Sequence, residues 1–324
     1  MAGKPRVFVT RRWPAAVETG LTERFDAVLN TDDRPLAPEE LRSALLSFDA
    51  LLPTVTDAIG GRVLDLEAPR ARIIANYGAG FGHIDLARAR ELGIAVTNTP
   101  DVLSDCTADL AMMLLLMVAR RAGEGLREIA EHRWSGWRPT HMMGSRVSGK
   151  VLGIIGFGRI GQAVAQRAHH GFGMDIRVQN RSPVAPEVLA RSGARQMDSV
   201  EALLPGCDFV TLHCPGGAQT RHLINAKRLA LMKPGALLVN TARGEVVDEA
   251  ALAHALCAGV LGGAGLDVFE REPCINPALR ACPNLVMLPH LGSATLETRE
   301  AMGFRVMANL EDFFSGQGPR DRIA

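Results

Sequence analysis

The chain is poor in aromatic residues, which make up 5% of its 324 positions with a single tyrosine, and it lacks a surplus of charge: 36 Lys and Arg face 35 Asp and Glu, for a net charge of +1. Such a chain has no general field to gather nucleic acid or an anionic membrane, so neither is expected as a partner and a small ligand is. Its six cysteines (Cys106, Cys207, Cys214, Cys257, Cys274, Cys282) form no CxxC pair, and none stands at metal-ligand spacing with a histidine. A disulfide framework and a metal centre are therefore both unexpected, and the thiols read as reduced and mostly structural. The longest apolar run, Leu110–Ala119, has about half the length of a bilayer span and reads as a buried helix. The first ten residues lack the charged-then-apolar order of a signal peptide, so a cytoplasmic address is expected.

What the chain does have is organised around Lys150-Val-Leu-Gly-Ile-Ile-Gly-Phe-Gly-Arg-Ile-Gly161, an apolar strand running into a glycine turn and then a helix-compatible stretch, Ile160–Ala168. The spacing of Gly156, Gly158 and Gly161 is that of a dinucleotide-binding turn. Gly156 permits the tight bend, Gly158 admits a pyrophosphate to backbone N–H groups, and Gly161 lets the helix lie against its strand, with the phosphates at the helix's positive N-terminus.

At this length two domains are expected. Strands are predicted at Arg6–Thr10, Ala27–Asn30, Ala50–Thr54, Arg72–Asn76 and Ala95–Asn98, with helices at Pro38–Leu46 and at Ile84–Leu92, the latter closed by Gly93. This makes a first α/β unit with a parallel sheet. Within it Asn76–Asp85 is a second glycine-rich loop between strand and helix, open to two readings, an anion-binding loop or a plain turn. A helix capped by Ser104 or Asp105 leads onward to Glu131–Gly144, an irregular stretch with two of the three tryptophans that fits a subunit-contacting arm better than a nucleic-acid surface. Further strands at Ile176–Gln179, Phe209–His213, Ala236–Asn240, Gly265–Val268 and Val286–Leu288 bring the second unit to about six. The last helix, Thr295–Phe314, sets Leu296, Met302, Val306, Leu310 and Phe313 near one face, and Gly316–Ala324 reads as a loosely held tail.

Three polar stretches fall at carboxyl ends of strands, where ligands bind in such sheets, and carry Arg243, Glu272 and His290. Reduction of a 2-oxo acid needs a cation for the carboxylate and carbonyl, a proton donor, and a carboxylate to keep that donor charged, which these three supply. At the end of the second strand of this unit, 19 residues after Gly161, stands Asn180 where an NAD-selective site would have Asp or Glu; Arg181 and Ser182 instead suit a 2′-phosphate. Asp175 lies at the opposite end of that strand.

Together, Gly156–Gly161, Val239-Asn-Thr-Ala-Arg-Gly244, Leu266–Phe269 with Glu272-Pro273, and Pro289-His-Leu-Gly-Ser293 resemble the D-2-hydroxyacid dehydrogenase family, most nearly its glyoxylate/hydroxypyruvate reductases, over nearly the whole chain and in the family's order. The resemblance implies two doubly wound parallel-sheet (Rossmann/flavodoxin-like) domains with a cleft between them. One is 1–99 plus 291–324 for substrate, through a last helix that returns to it, and the other is 100–290 for the dinucleotide. It implies Arg243 on the substrate, His290 as acid/base and Glu272 as its partner, with no metal. Leu52, the loop Tyr77-Gly78-Ala79-Gly80, Ser293 and the arm's Trp137, reaching from the second subunit of a homodimer, would meet the substrate. Besides the glycines and Asn180–Ser182, cofactor contacts are implied at Thr107, Arg159, Ile160, Cys214, Pro215, Thr220, Thr241, Ala242, Arg243, Asp267, His290 and Gly292, with Asp267 on the nicotinamide carboxamide. Gly216 and Gly217 depart from the family, in which a bulkier residue commonly follows the proline.

The expected activity is reduction of glyoxylate and hydroxypyruvate with NADPH, NADH being tolerated. The rivals are an NAD-dependent dehydrogenase of larger 2-hydroxy acids and a dinucleotide-sensing scaffold or co-repressor. Retention of Arg243, Glu272 and His290 weighs against the scaffold, because sensing needs none of them.

Overall fold

A computed structural model describes residues 3–324. The chain divides into two compact units, one made of the residues up to Leu103 together with Ser293–Ala324, the other of Ser104–Gly292. Each is built on its own parallel sheet.

In the first unit five strands, β1 (Arg6–Val9), β2 (Asp26–Leu29), β3 (Ala50–Leu52), β4 (Ile73–Ala75) and β5 (Ala95–Thr97), stand in the order β2-β1-β3-β4-β5. Alternate residues feed two separate cores. Val7, Val9, Leu52, Ile73 and Ala75 pack with Val17, Leu21, Met302, Val306 and Leu310 on one side, and Leu51, Ile74 and Val96 with Leu41, Leu45, Ile59 and Ile94 on the other. With both faces covered, the strands read in sequence as unbroken apolar runs. The predicted strands overran their ends, because Thr10, Thr54, Asn76 and Asn98 already belong to the loops. The second predicted helix begins only at Leu86, where the Asp85 side chain accepts from Arg88 N at 3.0 Å.

Two expectations for the end of the chain are corrected. The last helix runs Leu296–Phe314, and Leu296, at 64% exposure, lies off its buried face, which is completed instead by Met307. The tail is firmly held: Ile323 N donates to Val96 O at 2.8 Å, and buried Asp321 accepts from both Arg305 Nε and Nη2 at 2.6 and 2.7 Å and from Asn309 Nδ2 at 2.9 Å. Its strand partner Val96 is remote in sequence, so its polar composition misleads.

The second unit has seven parallel strands rather than about six: β6 (Val151–Ile155), β7 (Asp175–Gln179), β8 (Arg195–Gln196), β9 (Phe209–Leu212), β10 (Leu237–Asn240), β11 (Gly263–Leu266) and β12 (Leu285–Met287), ordered β12-β11-β10-β9-β6-β7-β8. The order reverses between β6 and β9, which opens a crevice beyond their carboxyl ends. β8, a two-residue edge strand, has too little pattern to be read from sequence. β11 starts two residues earlier than predicted: a side chain on Gly265 would come within 3.1 Å of Leu114 Cβ, so glycine is what lets the Ser104–Ala119 helix lie on the strand. The helix after the glycine turn spans Arg159–Gln166 and then widens into a π turn, Arg167–Gly171. Residues 131–149 hold no helix or strand and are mostly exposed, Trp137 at 82%. All six cysteines are free, and among the described residues no helix is long and apolar enough to cross a membrane.

Candidate active site

The glycine turn follows β6 with Gly156 at φ +92°. A Cβ there would lie 2.5 Å from Cys214 N, and one on Gly161 would lie 2.2 Å from Gly156 O, so both positions exclude any side chain. Gly158, the residue before the Arg159–Gln166 helix, faces open space where a Cβ would be. A bare turn, a close-packed helix start and an unobstructed approach to its first amides fit a dinucleotide's pyrophosphate.

Arg243, Glu272 and His290 leave the sheet after β10, β11 and β12, three adjacent strands. His290 stands at φ +56°, its own N–H bonded to Asp267 O at 3.0 Å. Asp267, 1% exposed, takes Leu291 N and Gly292 N on its two carboxylate oxygens at 2.6 and 2.8 Å, and Thr107 Oγ1 donates to Gly292 O at 3.0 Å. Burial drives the Asp267 carboxyl above its ordinary range while those two amides and the His290 charge draw it back. Asp267 thus fixes the loop that carries the histidine, and Thr107 ties that loop to the long helix.

His290 Nδ1 meets Glu272 Oε2 at 2.8 Å. Burial raises the Glu272 carboxyl, but the hydrogen bond and charge of His290, the Phe269 N–H at 3.0 Å and the Arg243 charge outweigh it, so its pKa lies below the ordinary carboxylate value. Burial pushes the Arg243 pKa down, against the opposing pull of Glu272 and Glu245. The three predicted side chains therefore form one electrostatic group. The departure at Gly216 has a local cause: a Cβ there would lie 2.6 Å from Glu245 Oε1, the same atom that accepts from Gly217 N at 2.6 Å, and 2.9 Å from Arg243 Cγ. Glu245 and Arg243 occupy the space a larger residue would need.

Sequence reasoning missed two residues that shape this group. Asn240, 1% exposed at the end of β10, accepts from Ala242 N at 3.0 Å and donates to Arg243 O at 2.9 Å, which sets the Thr241-Ala242-Arg243 turn. Its signal was a polar residue closing an apolar strand. His213 sits between Thr211 Oγ1 at 3.0 Å and Thr241 Oγ1 at 3.4 Å, and burial pushes its pKa down to about 3, so the ring is neutral. The neighbouring Cys214 thiol is pushed up to about 11 by burial and is no nucleophile. Pro215 O accepts from Thr220 Oγ1 at 2.7 Å, which closes the loop beyond β9.

At the end of β7, Asn180 Oδ1 accepts from Phe157 N at 3.2 Å and its Nδ2 donates to Ser182 O at 3.0 Å, joining the glycine turn to the next loop. Arg181 and Ser182 are exposed, with Arg181 Nη1 on Gln219 Oε1 at 3.1 Å.

Leu52, Tyr77, Gly78, Ala79, Gly80 and Ser293 belong to the first unit. Gly78 O accepts from Asn76 Nδ2 at 3.0 Å and from Thr99 N at 3.0 Å, Gly80 O from Asn76 Nδ2 at 3.0 Å, and Ala79 O from Asn98 Nδ2 at 2.8 Å. In a trans peptide the next N–H points opposite to the carbonyl, so the amides of Ala79, Gly80 and Phe81 are turned away from these anchors. That arrangement suits an anion. Tyr77 contributes backbone rather than hydroxyl: its ring is buried, its Oη donates to Arg299 O at 2.5 Å, and burial pushes its pKa up to about 12. Leu52 is corrected. It is fully buried in the core, its carbonyl taken by Thr10 N at 3.2 Å, and it presents no side chain to a ligand. Ser293 O accepts from Thr295 N and Arg299 Nε at 3.0 and 3.1 Å.

Residues 112–292 match the NAD binding domain of the D-isomer specific 2-hydroxyacid dehydrogenases. The chain is 46% identical to the glyoxylate reductase of Thermococcus litoralis over 99% of its own length and 97% of the relative's. It is 37% identical to the glycerate dehydrogenase of Hyphomicrobium methylovorum, with 97% of each chain covered. Among solved structures, the NADPH-dependent glyoxylate/hydroxypyruvate reductase of Sinorhizobium meliloti, in complex with NADP and malonate, is similar with a TM-score of 0.87, 33% identity, and coverage of 99% of this chain and 97% of that one.

Proposed function

The chain belongs to the D-isomer specific 2-hydroxyacid dehydrogenase family and is an NAD(P)-dependent reductase of small 2-oxo acids; on that premise we propose that it prefers NADPH and turns glyoxylate into glycolate and hydroxypyruvate into D-glycerate. The observation that carries the catalytic reading is the 2.8 Å contact of His290 Nδ1 with Glu272 inside the electrostatic group of Arg243. With Nδ1–H committed to the carboxylate, Nε2 is the nitrogen left to protonate a carbonyl oxygen. Arg243 holds the substrate carboxylate and polarises the carbonyl through its fork of donors. The loop amides of Ala79 and Gly80, in the first unit, are proposed as carboxylate donors in their own right. A nicotinamide, when bound, would supply hydride for the carbonyl carbon, and Thr241, set by Asn240 and His213, is a residue that would hold it.

The preference for NADPH is supported by what ends β7: no carboxylate, an asparagine whose amide is already used on both sides, and exposed Arg181 and Ser182. A charge-assisted contact from Arg181 contributes about 1.5–3 kcal/mol, roughly ten- to a hundredfold in discrimination. A homodimer is supported by the exposed apolar residues Leu126 and Ile129 of the Ala122–Ala130 helix and Trp134, Trp137 and Met143 of the segment after it. A reducing, cytoplasmic setting is supported by the six free thiols.

The deciding experiment is a panel of NADPH and NADH against glyoxylate, hydroxypyruvate and larger 2-oxo acids. Glyoxylate and hydroxypyruvate with NADPH should give the highest kcat/KM, and higher values with NADH or a bulky acid would overturn the reading. Replacing Arg181 by Ala should raise KM for NADPH far more than for NADH, whereas an equal rise would remove the arginine from cofactor choice.

A further inference from the structure

The edge strand β8 contributes one side chain whose hydrogen bonds all go to a single loop. Gln196 Oε1 accepts from Val184 N at 2.8 Å, while its Nε2 donates to Ser182 O at 3.2 Å and to Asn180 O at 3.4 Å. Gln196 is half-buried, and pairing with Val178 of β7 fixes its backbone. The carbonyls it grips belong to the peptides on either side of Arg181-Ser182, so one amide group brackets that dipeptide. Among uncharged side chains only an amide offers both an acceptor and two donors for such a grip.

We propose that Gln196 is a positioning residue for the cofactor's 2′-phosphate: by fixing the Asn180–Val184 backbone it holds Arg181 and Ser182 where a phosphate monoester on the adenosine ribose meets them. The inference rests on the NADPH reading and goes beyond it, since Gln196 touches neither the reacting atoms nor the glycine turn. Its effect is preorganisation. A loop already ordered loses less conformational freedom when the phosphate binds, and the gain is confined to ligands that carry that phosphate.

The test is calorimetric titration of wild type, Gln196→Met, Arg181→Ala and the double variant with NADP+, NAD+ and adenosine 2′,5′-bisphosphate. Methionine keeps the length of the side chain and removes the hydrogen bonds. Gln196→Met should weaken NADP+ and the bisphosphate about five- to twentyfold, in the range of two to three lost hydrogen bonds, with NAD+ changed less than about twofold. In the Arg181→Ala background the same substitution should have a much smaller effect, as expected of two residues acting as a unit. Unchanged NADP+ affinity, or equal weakening of NADP+ and NAD+, would overturn the proposal while leaving the NADPH reading intact. A wild type that binds NAD+ as tightly as NADP+ would overturn both.

Discussion

The two units end their strands in the same way and use the ends differently. In each, a buried asparagine closes an apolar strand and spends its side-chain amide on the loop that follows: Asn76 after β4 grips the carbonyls of Gly78 and Gly80, and Asn240 at the end of β10 grips Ala242 N and Arg243 O. In the first unit the product is a row of backbone dipoles, while the imidazole of that loop, His83, meets the asparagine's own Oδ1 through Nε2 at 3.1 Å. In the second the same device aims an arginine of lowered pKa, and the loops beside it carry His290 and two carboxyl groups, Asp267 raised and Glu272 lowered from the ordinary carboxylate value. Amide dipoles hold a charge without exchanging protons, whereas proton transfer needs groups whose charge changes. The proposed function thus divides holding from reacting at the strand ends.

The largest expected contrast lies between the two glycine loops. Gly156→Ala puts a methyl group against backbone at positive φ and should cost about 3 kcal/mol or more with loss of NADP+ binding, while Gly78→Ala, whose nearest neighbour is the movable Val55 Cγ1 at 3.3 Å, should stay within about 1 kcal/mol. Thermal unfolding and cofactor titration of both variants measure this, and similar losses would erase the contrast. Next comes the chemistry itself. His290→Ala should cut kcat about a hundredfold or more with NADP+ affinity nearly intact, and near-normal turnover would refute its role.

Acid stability sharpens the comparison further. The folded-state pKa of His213 lies near 3 against 6.5 for a free imidazole, so as pH falls below 6.5 the unfolded chain takes up the proton first and stability is lost. Between pH 7 and pH 5 the wild type should lose about 1–2 kcal/mol on this account, a slope that His213→Gln removes. Denaturant titrations at the two pH values would show it, and identical slopes would contradict a neutral, enclosed ring. The smallest effects separate the two asparagines. Asn76→Ala should raise KM for the oxo acid about tenfold at preserved kcat, and Asn240→Ala should lower kcat about tenfold, each through a loop left without its buried amide. The opposite pattern would break the division.

Much of this was legible in the sequence because it is local. A strand, a glycine turn and a helix are read from one contiguous stretch, and Arg243, Glu272 and His290 each follow an apolar run that identifies a strand end. What was hidden depended on distant partners. The tail looked loose because its docking strand, β5, lies more than 200 residues earlier. The start of β11 was obscured by glycines whose reason is the Ser104–Ala119 helix, and Leu52 looked available because sequence does not say which face of a strand is covered. Asn76, Asn240 and Gln196 escaped notice because an amide's value lies in the peptide groups it meets.

The contact between His290 Nδ1 and Glu272 has one more outcome, which concerns reversibility. In the role proposed for His290, a ring tethered at one nitrogen keeps the other at the same spot whether it gives a proton or takes one, so the path for making a hydroxy acid is also the path for unmaking it. Which way the reaction runs is then left to the pH and to the ratios of oxo to hydroxy acid and of reduced to oxidised dinucleotide in the surroundings, and the protein sets only the rate.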